Sequence, residues 1–137
     1  MKVIDATGCT MGRLSSYVAK ELLNGERIAI VNAENTYVSG SRDFLINEYK
    51  RRRDLGTQRK GPFFPRMPDK MLKRTIRDML PYQKPRGREA YRNLRVYIGV
   101  PEELKGEKAE KMDAFQFRGL RGMTLLDLSN ELGGVKA

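Results

Sequence analysis

The chain of 137 residues contains no histidine and only one cysteine, Cys9. Histidine is the commonest general base and metal ligand, so its absence removes the usual basis of a hydrolytic or metal site. A single cysteine allows no intramolecular disulfide and no tetrahedral zinc site, and it suits a reducing cytosolic compartment. The sequence therefore predicts a protein that is not an enzyme and that holds no metal or cofactor.

Long apolar runs are also missing. No segment approaches the roughly 20 apolar residues of a membrane-spanning helix, and the N-terminus begins with a strand-like pattern rather than a signal peptide. We therefore expect a cytoplasmic protein without a membrane partner. With 39% hydrophobic and 32% charged residues, the chain lies in the globular range and is predicted to form one domain over residues 1–137.

Acidic residues are scarce in the middle of the chain. Between residues 50 and 95, sixteen Lys and Arg residues accompany only four acids, although the net charge of the whole chain is +10. Arginine outnumbers lysine there by more than two to one, which favours bidentate phosphate contacts. A solvated surface normally carries balancing acids, whereas a nucleic-acid backbone rewards unbalanced cations through counterion release. The charge pattern predicts a nucleic-acid partner.

Hydrophobic periodicity predicts alternating strands and helices. A strand at 2–5, a helix at about 13–23 and a strand at about 27–32 form a βαβ unit. Helices are predicted at 42–53 with Ser41 as N-cap, at 70–80 with Asp69 as N-cap, and at 88–94; Tyr49 and Tyr91 are expected to face inward. A buried strand is predicted at 96–100, and a short C-terminal helix after the capping pattern of Thr124 and Asp127. This alternation favours a three-layer α/β/α domain.

The cations of the middle region are predicted to face outward. In the helix at 70–80 they form a stripe opposite the apolar positions, and in the basic Pro/Gly-rich loop at 56–68 they alternate with aromatic residues, which suits a functional loop. No DNA-binding motif is present, so an irregular folded RNA is the favoured partner. The predicted RNA-binding residues are Arg13, Lys50, Arg51, Arg52, Arg53, Arg59, Lys60, Phe63, Phe64, Arg66, Lys70, Lys73, Arg74, Arg77, Tyr82, Lys84, Arg86, Arg88 and Arg92.

The glycine-containing turn from Gly8 to Arg13 offers a second hypothesis. A turn that opens a helix can hold a phosphate, but this one matches neither the dinucleotide fingerprint nor the P-loop pattern. A tight strand-to-helix turn is the favoured interpretation, and a nucleotide-binding α/β enzyme stays as an alternative. Cys9 is expected to be a small buried side chain rather than a nucleophile. Asp5 and Glu34, which follow the first two strands, are expected to form caps or salt bridges.

One block of sequence is family-specific. Met79–Arg88, followed by Leu94–Gly99, closely resembles the signature of the universal large-subunit ribosomal protein family numbered thirteen. The resemblance covers about residues 2–101 and includes Asp5–Gly8, Gly12–Leu14, Val31–Glu34 and Val38–Gly40. Lys84–Arg88 and Gly61–Arg66 look like the archaeal and eukaryotic branch, since Val100-Pro101-Glu102 stands where a bacterial member would have His-Pro-His. Residues 102–137 match weakly and are expected to form a peripheral C-terminal extension.

The resemblance implies a compact α/β/α fold with a small, mainly parallel, four-stranded sheet. It also implies a structural constituent of the large ribosomal subunit that binds and organises large-subunit ribosomal RNA early in assembly. Neighbouring large-subunit ribosomal proteins would be its other partners, with no small-molecule substrate and no catalysis. The residue patterns alone reach only RNA binding, so a free-standing RNA regulator or RNA chaperone stays as an alternative.

Overall fold

A computed structural model describes residues 1–55, 59, 61 and 64–133 of the chain. Five helices and six strands are present in this part. The helices are α1 (Met11–Leu23), α2 (Arg42–Asp54), α3 (Pro68–Asp78), α4 (Pro85–Arg92) and α5 (Leu125–Glu131). The strands are β1 (Lys2–Asp5), β2 (Ile28–Val31), β3 (Tyr37–Ser39), β4 (Leu94–Val96), β5 (Glu110–Lys111) and β6 (Gly122–Thr124).

The main sheet has four strands in the order β4-β2-β1-β5, and every pair is parallel. All four residues of β2 are buried, because a central parallel strand is covered on both faces. A second, two-stranded antiparallel sheet joins β3 to β6, with Val38 opposite Met123. The predicted α/β class with a small, mainly parallel, four-stranded sheet is confirmed.

The two faces of the main sheet are covered differently. Ile4, Ile30 and Leu94 belong to the large core cluster, which includes the buried faces of α1, α3 and α5. On the other face, Val3, Ala29 and Val31 pack in a small cluster with Leu104, which lies in the 3₁₀ turn Glu102–Leu104. Most of the helices therefore pack on one side of the sheet, and they present their opposite faces to solvent.

Two helices begin earlier than predicted. The helix predicted from 70 begins at Pro68, with Met67 rather than Asp69 at the N-cap, and the helix predicted from 88 begins at Pro85. In both cases proline occupies the first helical position, where its missing N–H costs no hydrogen bond and its fixed φ suits the helix. The N-cap predicted at Ser41 is confirmed, since Ser41 Oγ accepts a hydrogen bond from Phe44 N.

The buried strand predicted at 96–100 is wrong in position. β4 ends at Val96, and Ile98 and Val100 are exposed. The chain leaves the sheet because Gly99 has a φ of +66° and its carbonyl accepts a hydrogen bond from Asn32 N. An apolar run with strand-like composition thus becomes a turn.

The C-terminal segment also differs from its predicted role as a peripheral extension. Within its described part, β5 pairs with β1, and the side chains of Leu125, Leu128 and Leu132 are at most 1% exposed in the main core. The three leucines lie at i, i+3 and i+7, so they form one helical face that must be covered. The predicted cap is present, because Thr124 Oγ1 accepts a hydrogen bond from Asp127 N at 3.2 Å.

Candidate nucleic-acid interface

The end of α2, the loop before α3 and α3 itself meet around one aromatic ring, Phe64. The rings of Phe64 and buried Tyr49 pack edge to face, with centroids 5.7 Å apart. The guanidinium of Arg52 lies 4.9 Å from the Tyr49 centroid and 5.8 Å from that of Phe64. Arg74 approaches Phe64 from α3 at 5.6 Å. We call these four residues the Phe64 cluster; it joins two of the predicted cationic elements.

A second group of rings and cations lies between α3 and α4. Tyr82 and Tyr91 are perpendicular, with centroids 5.4 Å apart. Lys73 Nζ lies 5.0 Å from the Tyr91 centroid, and the Arg77 guanidinium lies 5.3 Å from that of Tyr82. Tyr82 is 40% exposed, so part of its ring stays accessible. We call these four residues the Tyr82 cluster, and the two clusters together the basic surface.

Helix α3 carries both clusters because of its residue spacing. Lys73 and Arg77 are one helical turn apart and reach the Tyr82 cluster, whereas Arg74 reaches the Phe64 cluster. On its other face, Leu72 and Ile76 are fully buried. Each cation–π contact contributes only about 0.5–1 kcal/mol at an exposed site, but it restricts the orientation of a long side chain. The basic surface is therefore partly preorganised.

The turn between α3 and α4 fixes the position of Tyr82. The third residue of α4, Gly87, lies so close to this turn that a Cβ atom there would be 2.0 Å from the Pro81 carbonyl oxygen. Arg88 donates hydrogen bonds from Nε to the Tyr82 carbonyl at 3.2 Å and from Nη2 to the Gln83 carbonyl at 2.9 Å. Arg88, predicted to bind RNA, thus also holds the protein backbone in this turn.

The three arginines at the end of α2 have carboxylate partners, and one of these, Glu48, was not included in the charge count. Arg51 and Arg52 both pair with Glu48, at 2.8 and 3.4 Å, and Arg53 pairs with Asp54 at 2.9 Å. Glu48 lies just outside the 50–95 region but one helical turn before these arginines. The hydrogen bonds from Arg51 hold the pKa of Glu48 below its usual range. Such exposed pairs are weak, so a phosphate can replace the carboxylate as partner.

The other predicted residues divide into three groups. Five cations are exposed and form no ion pair with another described residue: Arg66, Lys70, Lys84, Arg86 and Arg92. Lys50 is half-buried beside the α2 arginines, and Arg59 is exposed. Lys60 and Phe63 lie outside the described residues. Arg13 is exposed on α1 and does not join the basic surface.

Lys73 shows the electrostatic character of the basic surface. Burial lowers its pKa below the usual value for lysine, the positive charge of Arg95 lowers it further, and Asp69 opposes the change. Its ammonium group is therefore partly desolvated, and it is repelled by the charge of Arg95. A phosphate placed there relieves this repulsion, so anion binding and protonation of Lys73 favour each other.

Two of the aromatic rings that lie beneath cations of the basic surface, Tyr49 and Tyr91, were not predicted to have this role. Tyr49 and Tyr91 each carry a cation over their rings, yet their periodicity indicated only inward-facing positions. The signal was present in the spacing, since Tyr49 precedes Arg52 by three residues on one helix. For Tyr91 the contact crosses between helices, and sequence spacing gives no sign of it.

The first three backbone N–H groups of the glycine-containing turn donate hydrogen bonds within the protein, so they are not available to a phosphate. Gly8 N donates to the Asn35 carbonyl at 3.0 Å, Cys9 N to the Ala6 carbonyl at 3.0 Å, and Thr10 N to the Phe115 carbonyl at 2.7 Å. Gly8 has a φ of +78°, which explains the glycine. The tight-turn interpretation fits the geometry of these three residues.

The two acids after the first strands hold loops together. Asp5 Oδ1 accepts hydrogen bonds from Thr7 N, Thr7 Oγ1 and Asn32 Nδ2. Burial raises the pKa of Asp5, but these hydrogen bonds outweigh burial and leave the pKa below its usual value. Glu34 Oε2 accepts a hydrogen bond from Gly99 N at 2.9 Å. Both acids therefore accept hydrogen bonds from loops, and neither forms a helix cap or an ion pair with another described residue.

We predict that Cys9 does not react with thiol reagents in the native protein at neutral pH. Its side chain is fully buried, and burial together with Asp5 and Asp113 raises its pKa to about 11. The neutral thiol is a poor nucleophile. Labelling with a chromogenic disulfide reagent should be very slow in buffer and complete in denaturant; rapid native labelling would contradict the buried position.

Within residues 1–55, 59, 61 and 64–133, no helix is long and apolar enough to cross a membrane. The same residues contain no cluster of three or more cysteine or acidic side chains that could hold a metal ion.

Comparison with known proteins gives the family. The family profile described as ribosomal protein L13 matches residues 1–103. The large ribosomal subunit protein uL13 of Archaeoglobus fulgidus is 48% identical over 135 residues, covering 96% of this chain and 86% of that protein. The proteins of the same name from Thermoplasma volcanium and Haloarcula marismortui are 47% and 40% identical, each over 98% of this chain and over 100% and 92% of their own lengths. The chain belongs to the ribosomal protein L13 family.

Proposed function

We propose that this protein is a structural constituent of the large ribosomal subunit in the cytoplasm, where it binds and organises large-subunit ribosomal RNA and takes part in subunit assembly. Its relatives are named as large-subunit ribosomal proteins, not as enzymes. The observation that carries the RNA-binding part is the basic surface, in which α3 holds Lys73, Arg74 and Arg77 over aromatic rings. Neighbouring large-subunit proteins are its other partners.

The geometry of the basic surface suits a folded RNA. The cations of the basic surface lie on two rigid elements, α2 and α3, so they can neutralise phosphates of strands that RNA folding brings together. The exposed part of Tyr82 offers a face on which an unpaired base can stack. Because the ring contacts already restrict several side chains, less conformational entropy is lost on binding.

The first test replaces Lys73 and Arg74 together by glutamine. Each lost phosphate contact lowers the slope of log K against log salt by about 0.9, so the double variant should lose about 2 units of slope in binding to large-subunit ribosomal RNA. The measurement is a set of filter-binding or fluorescence titrations between low and physiological salt.

A matched control is the double variant Lys105→Gln and Lys108→Gln. These two lysines are exposed and follow Leu104, whose side chain packs on the sheet face away from α3. The control loses the same charge, so its slope should stay close to that of the unmodified protein. An equal loss of slope in both variants would mean that net charge, and not the basic surface, determines binding.

The second test decides between a ribosomal constituent and a free-standing RNA regulator or chaperone. Cells are fractionated on a sucrose gradient, and the protein is quantified against a large-subunit marker. A ribosomal constituent sediments with large subunits at a one-to-one ratio, whereas a regulator sediments mainly with other RNA or near the top. Sedimentation apart from large subunits would remove the proposed role.

A further inference from the structure

A cavity of about 510 Å³ opens at the start of α1, outside the basic surface. Its lining includes two cations from distant parts of the sequence, Arg13 and Arg118, together with the polar side chains of Thr10, Ser39 and Gln116. No acidic residue lines it. We call it the α1 pocket. Its volume falls within the range of about 300–1,000 Å³ that is typical of ligand sites.

The wall that carries Arg118 is firmly attached to the rest of the fold. Phe117 N donates to the Gly8 carbonyl at 2.8 Å, and Gln116 Nε2 donates to the Thr7 carbonyl at 3.1 Å. The Phe117 ring stacks on Tyr37, with centroids 5.1 Å apart and planes 6° apart. Gly119 leaves room for this ring, because a Cβ there would lie 2.9 Å from it. Residues 116 and 117 are therefore fixed in position, and Arg118 comes directly after them in the chain.

The donors of the α1 pocket suit an anion. Arg13 and Arg118 are exposed, and neither forms an ion pair with another described residue. The hydroxyl of Thr10 makes no capping hydrogen bond with α1. Guanidinium groups form strong charge-assisted hydrogen bonds with phosphate oxygens, in bidentate geometry where possible. Since no carboxylate competes in the lining, a phosphate is the matching ligand.

The α1 pocket and the basic surface lie on different sides of α1. Met11 faces α3, where Thr75 Oγ1 donates to Met11 Sδ at 3.7 Å. Arg13 follows two residues later, which is about 200° around the helix axis. Arg13 therefore points away from α3, and an RNA strand on the basic surface does not extend directly into the pocket.

We propose that the α1 pocket binds a phosphodiester group of a second RNA segment through Arg13 and Arg118, so that the protein bridges two parts of the RNA. This inference rests on the proposed function, because it assigns a second contact to the same RNA. The hydroxyls of Thr10 and Ser39 supply neutral hydrogen bonds to the bound group.

The test is the double variant Arg13→Gln and Arg118→Gln. Its slope of log K against log salt for large-subunit ribosomal RNA should fall by about 2 units, and that of Arg118→Gln alone by about 1. Arg121→Gln is the matched control, since Arg121 is exposed three residues later and does not line the pocket. Thermal unfolding should be the same for all three variants. An unchanged slope in the double variant would overturn the proposal.

The outcome is separable from that of the proposed function. If the Lys73 and Arg74 variant loses slope while the pocket variant does not, the second contact is wrong and the basic surface stands. If the unmodified protein shows no salt-dependent binding to this RNA, the proposed function fails first.

Titration with adenosine monophosphate and with inorganic phosphate tests the other source of phosphate: saturation by either at micromolar concentration, with RNA binding unaffected, would assign the pocket to a free ligand.

A tethered probe tests the bridging directly. Leu120 is fully exposed two residues after Arg118, and buried Cys9 does not compete for a thiol-directed reagent. A hydroxyl-radical probe on Leu120→Cys should cleave an RNA segment different from the one cleaved by a probe on Gln83→Cys, which lies in the turn of the Tyr82 cluster. Cleavage of one common segment from both positions would contradict two separate contacts.

Discussion

Replacing Gly87 by alanine is expected to destabilise the protein by about 2–3 kcal/mol and to weaken RNA binding as well. The added Cβ would lie 2.0 Å from the Pro81 carbonyl oxygen and 2.9 Å from Tyr82 N, and both are backbone atoms that no rotamer change can move. Overpacking of this kind typically costs about 1–3 kcal/mol. The turn must open, and Tyr82 then loses its position beside Arg77. Thermal unfolding should show a Tm lower by roughly 8–12 °C.

Gly12→Ala is the matched control. Gly12 also lies in the first turn of a helix, and nothing stands within 4 Å of the Cβ that alanine would add. Alanine is the better helix former by about 0.8–1 kcal/mol, so this variant should be slightly stabilised. Equal stability of the two alanine variants would mean that the contact between Gly87 and Pro81 does not constrain the fold. RNA titrations on the folded fraction separate lost binding from lost stability.

Leu128→Ala is expected to cost about 3 kcal/mol of unfolding free energy, in spite of its position near the C-terminus. Leu128 is fully buried in the main core, and α5 contacts α3, the helix that carries the basic surface. Large-to-small changes at such sites lose transfer free energy and leave a cavity. Chemical denaturation followed by circular dichroism measures the change, and the midpoint should fall with little change in the m-value.

Leu120→Ala is the control in the same segment. Leu120 is fully exposed, so the same loss of side chain should change stability by less than about 0.5 kcal/mol. The pair of variants distinguishes an integral C-terminal segment from a peripheral one. If Leu128→Ala were as harmless as Leu120→Ala, residues 102–133 would not belong to the core.

The βαβ unit was predictable because its signals are local. The burial of Leu14, Val18 and Leu22 follows from their helical spacing, and the apolar run of β2 indicates a strand covered on both faces. The role of α5 was not predictable in the same way. The spacing of its leucines indicates an apolar face but not the elements that cover this face. The pairing between β5 and β1 joins residues more than 100 positions apart in sequence.

In the candidate site, too, features set by local spacing were predictable and features set by the tertiary fold were not. The outward stripe of α3 was predictable from its periodicity, because helical spacing alone separates Lys73 and Arg77 from Leu72. The partner of Arg51 and Arg52 was missed, since a charge count that began at residue 50 excluded Glu48. The α1 pocket could not be predicted, as Arg118 joins Arg13 only through the tertiary fold.

The edges of the main sheet bear on how the protein behaves when it is not bound to a partner. One edge strand, β4, has three residues and the other, β5, has only two, and both carry charged side chains, Arg95 on β4 and Glu110 and Lys111 on β5. Long, flat, apolar edges recruit further strands and lead to aggregation, whereas short charged edges oppose it. These short, charged edges and the mutual repulsion of the +10 charge therefore both oppose aggregation of the free chain.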